Sequence, residues 1–280
     1  MKKNKENLNK KRVIFLFTVL ALSVIIQSGC GMLELKSSWK EMNIEIDGNY
    51  DDWLGSLFYF EDEKISLGLL NDGSDLYICM ITEDRFIRPQ MMGQGFTVWF
   101  DPEGGKKKVF GIRFPTGRTE RGEDDFRAGM GRMMPGQRMD EEMMERTGQF
   151  LDQVVIIETR DELEQEFAVD ELGGIEIFLD VTGGISVYEL KVPLQSDEAH
   201  PYAIRVNTGD VIGLGLEIPK MDMNAMQGRV GGLRDRGGMG RPGGMGGGMD
   251  GRSGMRPRMP RGLNVWANVQ LAVNGDSRYE

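Results

Sequence analysis

The chain has 280 residues, of which 40% are hydrophobic and 28% are charged. This length supports one sizeable globular core or two small ones. The formal net charge of −10 argues against a nucleic-acid partner, because phosphate binding needs clustered cations. The 39 glycines and 20 methionines exceed ordinary usage. They concentrate in two segments of biased composition. Most of the remaining chain shows the regular apolar pattern of secondary structure.

The N-terminus has the layout of a bacterial secretion signal. A basic stretch at residues 2–12 precedes an apolar run at residues 13–26, which is too short to span a bilayer comfortably. The small pair before Cys30 resembles the lipobox of bacterial lipoproteins, although Gln27 stands where that family usually has an aliphatic residue. In that family the signal is cut before the cysteine, which is then acylated and anchors the mature chain.

This resemblance implies a signal peptide at residues 1–29, a lipid such as palmitate on Cys30, and a membrane-anchored protein of the cell envelope. Glycine rather than aspartate follows the cysteine, which favours the outer membrane in a cell that has one. An ordinary signal peptide with another cleavage point, or an uncleaved anchor, is the alternative. Residues 30–41 show no clear periodicity, and we expect them to form a tether.

Short apolar runs bounded by turn residues predict strands along most of the remaining chain. The densest stretch holds three such runs, which are too short and too dense for amphipathic helices; they lie at residues 76–81, 96–100 and 109–114. Further strands are predicted at residues 154–158, 174–180, 185–192, 202–206, 211–218 and 263–273, with a hairpin turn at residues 182–184. Residues 161–172 fit either a short helix or a polar strand pair. The pattern predicts an all-β fold.

Two segments interrupt the strand pattern, at about residues 116–147 and 220–262. Both are rich in glycine, arginine and methionine. Such a composition buries too little apolar surface to offset chain entropy, so we expect two long disordered insertions. A sheet tolerates them because the cost of loop closure grows only logarithmically with length.

The methionines of these segments are candidate metal ligands, and the strongest candidates are Met130, Met133 and Met134. Soft thioethers select Cu(I) over hard ions, and the Met-x-x-Met spacing is a natural chelate. The interleaved arginines would oppose a cation, so incidental methionine in low-complexity sequence is the preferred interpretation. The same segments could instead dock a partner or an anionic envelope polymer, because methionine adapts to irregular contacts.

Four motifs of the patterned part resemble the family-nine-like carbohydrate-binding modules and the related DOMON-type domains. They are an Ile-Asp-Gly turn with an acidic pair and a tryptophan at residues 46–53, an Asp-Leu-Tyr strand start at 75–77, a Gly-x-x-Val strand closing on aspartate at 95–101, and a Tyr-Glu strand ending in Val-Pro-Leu at 188–194. The resemblance implies an immunoglobulin-like, jelly-roll-like antiparallel β-sandwich over residues 42–275. It also implies carbohydrate binding on a sheet face or in the end loops.

A saccharide site needs exposed aromatic rings with polar neighbours. The aromatic candidates are Tyr50, Trp53, Tyr59 and Tyr77. Core packing is the alternative for Trp53, and for Trp99 as well, because a large aromatic beside a turn or on a dense strand usually packs inward. Asp51 and Asp52 fit a solvated turn or a set of Ca(II) ligands.

The sequence contains no nucleophile elbow, P-loop, HExxH motif or Cys/His metal array. Some DOMON-type domains bind haem through methionine and histidine, but this chain has one histidine, His200, and no placed methionine partner. Cys79 on a predicted core strand is expected to be a buried apolar residue rather than a reactive thiol. We therefore expect a non-catalytic envelope lipoprotein that binds carbohydrate, with Cu(I) binding or partner docking as alternatives.

Overall fold

The computed structural model describes residues 32–117, 151–181, 184–198, 200–220 and 262–275. The predicted signal peptide with Cys30, most of both biased segments and part of the 182–184 turn lie outside these residues. Within the described ranges, no helix is long and apolar enough to cross a membrane.

The described residues form two β-sheets that enclose one hydrophobic core. The seven-stranded sheet has the order β1 (Leu33–Lys36), β13 (Asn264–Gln270), β12 (Val211–Glu217), β6 (Thr97–Asp101), β7 (Phe110–Arg113), β8 (Gln153–Glu158) and β9 (Leu163–Ala168). The six-stranded sheet has the order β10 (Glu176–Asp180), β11 (Ser186–Pro193), β5 (Asp75–Thr82), β4 (Ile65–Asn71) and β2 (Ser38–Trp39), and β3 (Leu57–Phe60) also pairs with β4. The predicted all-β sandwich is confirmed.

Strand β13 shows how alternation builds the sandwich. Val265, Ala267 and Val269 are buried, while the residues between them are at least partly exposed. Successive side chains of a strand point to opposite faces, so each sheet has an inner face in the core and an outer face turned away from it. The core joins the inner faces of both sheets; Tyr188 of β11 packs edge-on against Phe96, with ring centroids 4.7 Å apart.

The structure differs from the sequence prediction in pairing and at several elements. Strands β2 and β4 pair in parallel, through Ser38 with Leu70 and Trp39 with Asn71, within sheets expected to be antiparallel. Residues expected to belong to a tether form β1 and β2, which are too short to give a pattern. Strand β3 and a helix, α1 (Ile87–Gln94), were also not predicted.

Residues 202–206 do not form the predicted strand. Ile204 and Val206 are buried, and their amides donate to the carbonyls of Pro193 and Leu194 at 3.0 and 2.9 Å. Arg205 between them has a φ of 70°, in the left-handed region that a strand cannot contain. Residues 161–172 resolve into β9 between two short 3₁₀ turns.

Candidate functional site

An open groove of about 640 Å³ lies on the outer face of the six-stranded sheet. Its lining combines aromatic, charged and hydroxyl side chains, contributed by Tyr59, Lys64, Ser66, Ile81, Thr82, Glu83, Asp84, Arg85 and Phe86. We refer to this feature as the groove. A concave site with a few convergent polar groups is the usual form of a ligand-binding site.

The floor of the groove is a row of side chains across three neighbouring strands. Tyr59 of β3 lies opposite Ser66 of β4, and Ser66 lies opposite Ile81 of β5. Side chains opposite each other in paired strands share a face of the sheet, so the three stand side by side. The regular sheet therefore fixes the spacing of an aromatic ring, a hydroxyl and an aliphatic side chain.

The wall of the groove is a loop fastened to the β3–β4 turn. The Thr82 hydroxyl donates to the Lys64 carbonyl at 3.0 Å and accepts from the Asp84 amide at 3.1 Å. The Asp84 carboxylate accepts from the Phe86 amide at 2.8 Å and lies 3.9 Å from the Lys64 ammonium. These contacts hold the loop in place just before helix α1.

Two aromatic side chains of the groove are open to solvent. Tyr59 is 67% exposed and Phe86 is 50% exposed. The Arg85 guanidinium lies 4.8 Å from the centroid of the Phe86 ring, which is within the range of a cation–π contact. The groove thus places apolar ring surface next to cationic donors, Lys64 and Arg85, and to the exposed carboxylate of Glu83.

The four aromatic candidates lie in different environments. Tyr59 lies in the groove, and Tyr50 is partly buried against an outer cluster that also contains Ile44, Trp53, Leu70, Tyr77, Cys79 and Val187. Trp53 is fully buried and Tyr77 is only 4% exposed, so neither presents a ring face to a ligand. Trp53 and Tyr77 were candidates for stacking against a sugar, and this prediction is corrected because both side chains are buried.

Trp53 and the Ile-Asp-Gly turn serve a structural role through Glu189. The fully buried Glu189 carboxylate accepts from the Trp53 indole at 2.6 Å, from the Gly48 amide at 2.6 Å and from the Asp47 amide at 3.0 Å. Burial raises the pKa of Glu189, although these three donors oppose that shift. Two motifs that are about 140 residues apart in sequence thus form one buried contact.

Tyr77 belongs to a separate polar cluster at the β4–β5 turn. Its hydroxyl accepts from the Lys40 ammonium at 2.6 Å and donates to Asp72 at 3.2 Å. Burial raises the pKa of Tyr77, and it raises the pKa of the Cys79 thiol well above its usual value, with Glu189 contributing. Cys79 is therefore buried, as its strand position predicts, and its raised pKa disfavours the reactive thiolate.

In the described part of the chain, no three His, Cys, Asp or Glu side chains lie close enough together to hold a metal ion. Asp51 and Asp52 lie in a 3₁₀ turn, and the Asn49 side chain accepts from the Asp51 amide at 3.1 Å. Met130, Met133 and Met134 lie outside the described residues, so Cu(I) binding by them remains a prediction.

Three lining residues of the groove were not predicted from the sequence: Lys64, Arg85 and Phe86. Each follows a strand by a few residues, and only the pairing of β3, β4 and β5 brings them beside Tyr59. The sequence contains one indication of Phe86. An aromatic residue within a charged stretch, as at residues 83–86, is expected to be exposed.

Comparison with known proteins gives a likeness of low identity. No family model matches the sequence, and no curated protein is similar to it. A family 9 carbohydrate-binding module from Caldicellulosiruptor kristjanssonii in complex with glucose has 10% identity and a TM-score of 0.36, covering 69% of this chain and 81% of that chain. The same kind of module in complex with cellotriose has 9% identity and a TM-score of 0.33, over 69% and 79%. The two sheets themselves define the fold of this chain.

Proposed function

We propose that this protein is a non-catalytic binding protein and that its groove binds a saccharide. The observation that carries the proposal is the pair of exposed rings, Tyr59 and Phe86, beside charged and hydroxyl groups in one groove. A pyranose ring has a similar division, with C–H groups on its faces and hydroxyl groups at its edge.

The groove offers a partner for each part of such a ligand. The Tyr59 ring, 67% exposed, can stack against a C–H face. Arg85 and Lys64 supply donors for sugar oxygens, while Glu83 supplies acceptors for sugar hydroxyls. Cationic and anionic side chains both line the groove, which suits a polyhydroxylated ligand better than an apolar one.

A binding role accounts for the groove better than catalysis does. The lining contains neither histidine nor cysteine. Its Asp84 carboxylate already accepts from the Phe86 amide and pairs with Lys64. The glucose and cellotriose bound by the two solved modules make neutral oligosaccharides a reasonable first panel.

The test is calorimetric titration of the detergent-solubilised protein with cellotriose, a mannotriose and a chitotriose. Tyr59→Ala is expected to weaken binding about tenfold, because one stacking contact is lost. Phe58→Ala is the matched control, because Phe58 is the neighbouring exposed aromatic of β3 and lies opposite Leu67, a core residue. Equal loss in both variants, or no binding of any of the three sugars, would contradict the proposal.

We also propose that the protein is held at the cell envelope by a lipid on Cys30, with the outer membrane favoured in a Gram-negative cell. The support is the apolar run and the lipobox-like residues before Cys30. Cys30→Ala is expected to move the protein out of the membrane fraction. A variant that stays in the membrane fraction would instead indicate an uncleaved anchor.

A further inference from the structure

The outer face of the seven-stranded sheet carries a row in which tryptophan and glycine alternate. Trp266 of β13 lies opposite Gly215 of β12, Gly215 lies opposite Trp99 of β6, and Trp99 lies opposite Gly111 of β7. This row is on the sheet that does not contain the groove.

The glycines let both indole rings lie flat on the sheet. A Cβ atom on Gly215 would lie 2.7 Å from the Trp266 ring, and one on Gly111 would lie 2.6 Å from the Trp99 ring. Any side chain at either glycine would therefore push the ring away from the backbone. The glycines of this row thus leave the space in which the two rings lie close against the sheet.

The two tryptophans differ in exposure and in partners. Trp99 is only 6% exposed, its indole N–H donates to Glu217 at 2.7 Å, and the Lys108 ammonium lies 5.2 Å above its ring. Trp266 is only partly buried. Trp266 therefore keeps ring surface turned to solvent, backed by the sheet.

Trp266 packs on one side against the apolar cluster of Trp99, Val155 and Ile157, and polar side chains flank it along β13. Asn264 and Asn268 lie two residues away on either side along β13, on the same face. The Asn268 side-chain oxygen accepts from the Gly105 amide at 3.1 Å, which holds that amide group in place. Glu217, opposite Asn264, is compensated by Lys108 at 2.5 Å.

We propose that Trp266 with Asn264 and Asn268 forms a second saccharide-binding site, separate from the groove. The proposed ligand is a neutral sugar ring. The C–H face of such a ring can stack on the indole, and the hydroxyl groups at its edge can bond to the two amide side chains, which supply donors and acceptors. The carboxylate opposite Asn264, Glu217, is already paired with Lys108, so a cationic ligand gains little from it. Sites on the outer faces of both sheets would let one chain contact two saccharide strands.

Tryptophan emission separates this site from the groove, because no tryptophan lines the groove. Cellotriose, mannotriose and chitotriose are titrated into the full chain while emission and heat are followed. A saturable emission change is expected with at least one sugar, retained in Tyr59→Ala and lost in Trp266→Ala. Trp39→Phe is the control, since Trp39 is partly buried in β2 and lies outside both sites.

Further variants guard against a folding artefact. Trp266→Phe keeps a flat ring over Gly215, so binding heat is expected to persist while the emission change is lost. Asn264→Ala is expected to weaken this site about fivefold without affecting the groove.

Three outcomes would overturn the proposal: no emission change with any of the three sugars, a change that Tyr59→Ala abolishes and Trp266→Ala leaves, or a dimer in sedimentation that Trp266→Ala dissociates. The last outcome would assign this face to contact between copies of the chain. A Trp266-dependent change with no effect of Tyr59→Ala on the heat would instead contradict only the groove.

Discussion

At the scale of single residues, Glu189 explains why two separated motifs occur together. It lies on β11, between β10 and β5 in the six-stranded sheet, and accepts three N–H groups from residues 47–53. A buried carboxylate without these donors would be costly, and the donors would be unsatisfied without it. The Ile-Asp-Gly turn, Trp53 and the Tyr-Glu strand therefore depend on one another.

Glu189→Gln is expected to lower the free energy of unfolding by about 2–4 kcal/mol, because its amide nitrogen would face an N–H group. Chemical denaturation followed by far-UV circular dichroism measures this change. Glu176→Gln is the matched control, since the Glu176 side chain is 56% exposed and pairs with Lys191 at the surface. Equal effects of the two substitutions would show that the buried contact is not the stabilising element.

Tyr188 presents the opposite case, a polar atom without a partner. Its hydroxyl is buried and makes no hydrogen bond to any described residue, and burial raises its pKa. Tyr188→Phe is expected to stabilise the protein by about 1 kcal/mol, seen as a higher midpoint in thermal unfolding. A lower midpoint would show instead that the hydroxyl contributes to stability.

At the scale of elements, the β4–β5 turn is held by Asp72. Its carboxylate accepts from the amides of Ser74 and Asp75 at 2.8 and 2.9 Å and pairs with Lys40 at 2.9 Å. Burial alone would raise the pKa of Asp72, but these donors outweigh it and lower that pKa below its ordinary value of 3.8. The turn therefore depends on the ionised form.

A lowered carboxyl pKa stabilises the folded state above the ordinary pKa, and this stabilisation is lost as the pH falls through the folded-state value. Asp72→Asn is expected to cost about 1–2 kcal/mol at pH 7. The difference from the unmodified protein should shrink as the pH falls below the ordinary carboxyl pKa of 3.8 and through the lower folded-state pKa of Asp72. Urea unfolding at pH 7 and at pH 3 measures it, and a difference independent of pH would contradict this role for the charge.

Sequence predicts elements well where turn chemistry and periodicity coincide. The ends of strands β5, β6 and β7 agree within one residue with the predicted runs, because glycine, proline and acidic residues bound those runs. Strands β1 and β2 are too short for a period, and Arg205 breaks an apolar run through a backbone angle that composition does not reveal. Tyr59 could be predicted as a candidate, but the groove depends on the register that places it beside Ser66 and Ile81.

At the scale of the whole molecule, the described residues build a sandwich with a different surface on each outer face. One face carries the groove, and the other carries the row of Trp266, Gly215, Trp99 and Gly111. Both surfaces combine aromatic rings with polar side chains. Among the described residues, neither surface has a group of side chains that could hold a metal ion. If both proposals hold, the lipid proposed on Cys30 and the proposed saccharide sites would together hold saccharide at the membrane surface.

The most direct measurement of saccharide binding in the groove is a two-dimensional NMR titration of the isotope-labelled protein with the tightest-binding oligosaccharide of the panel. The amides of residues 59–66 and 81–86 are expected to shift in a saturable manner, because they form the floor and wall of the groove. Binding that shifts other residues and leaves these amides unchanged would contradict the account.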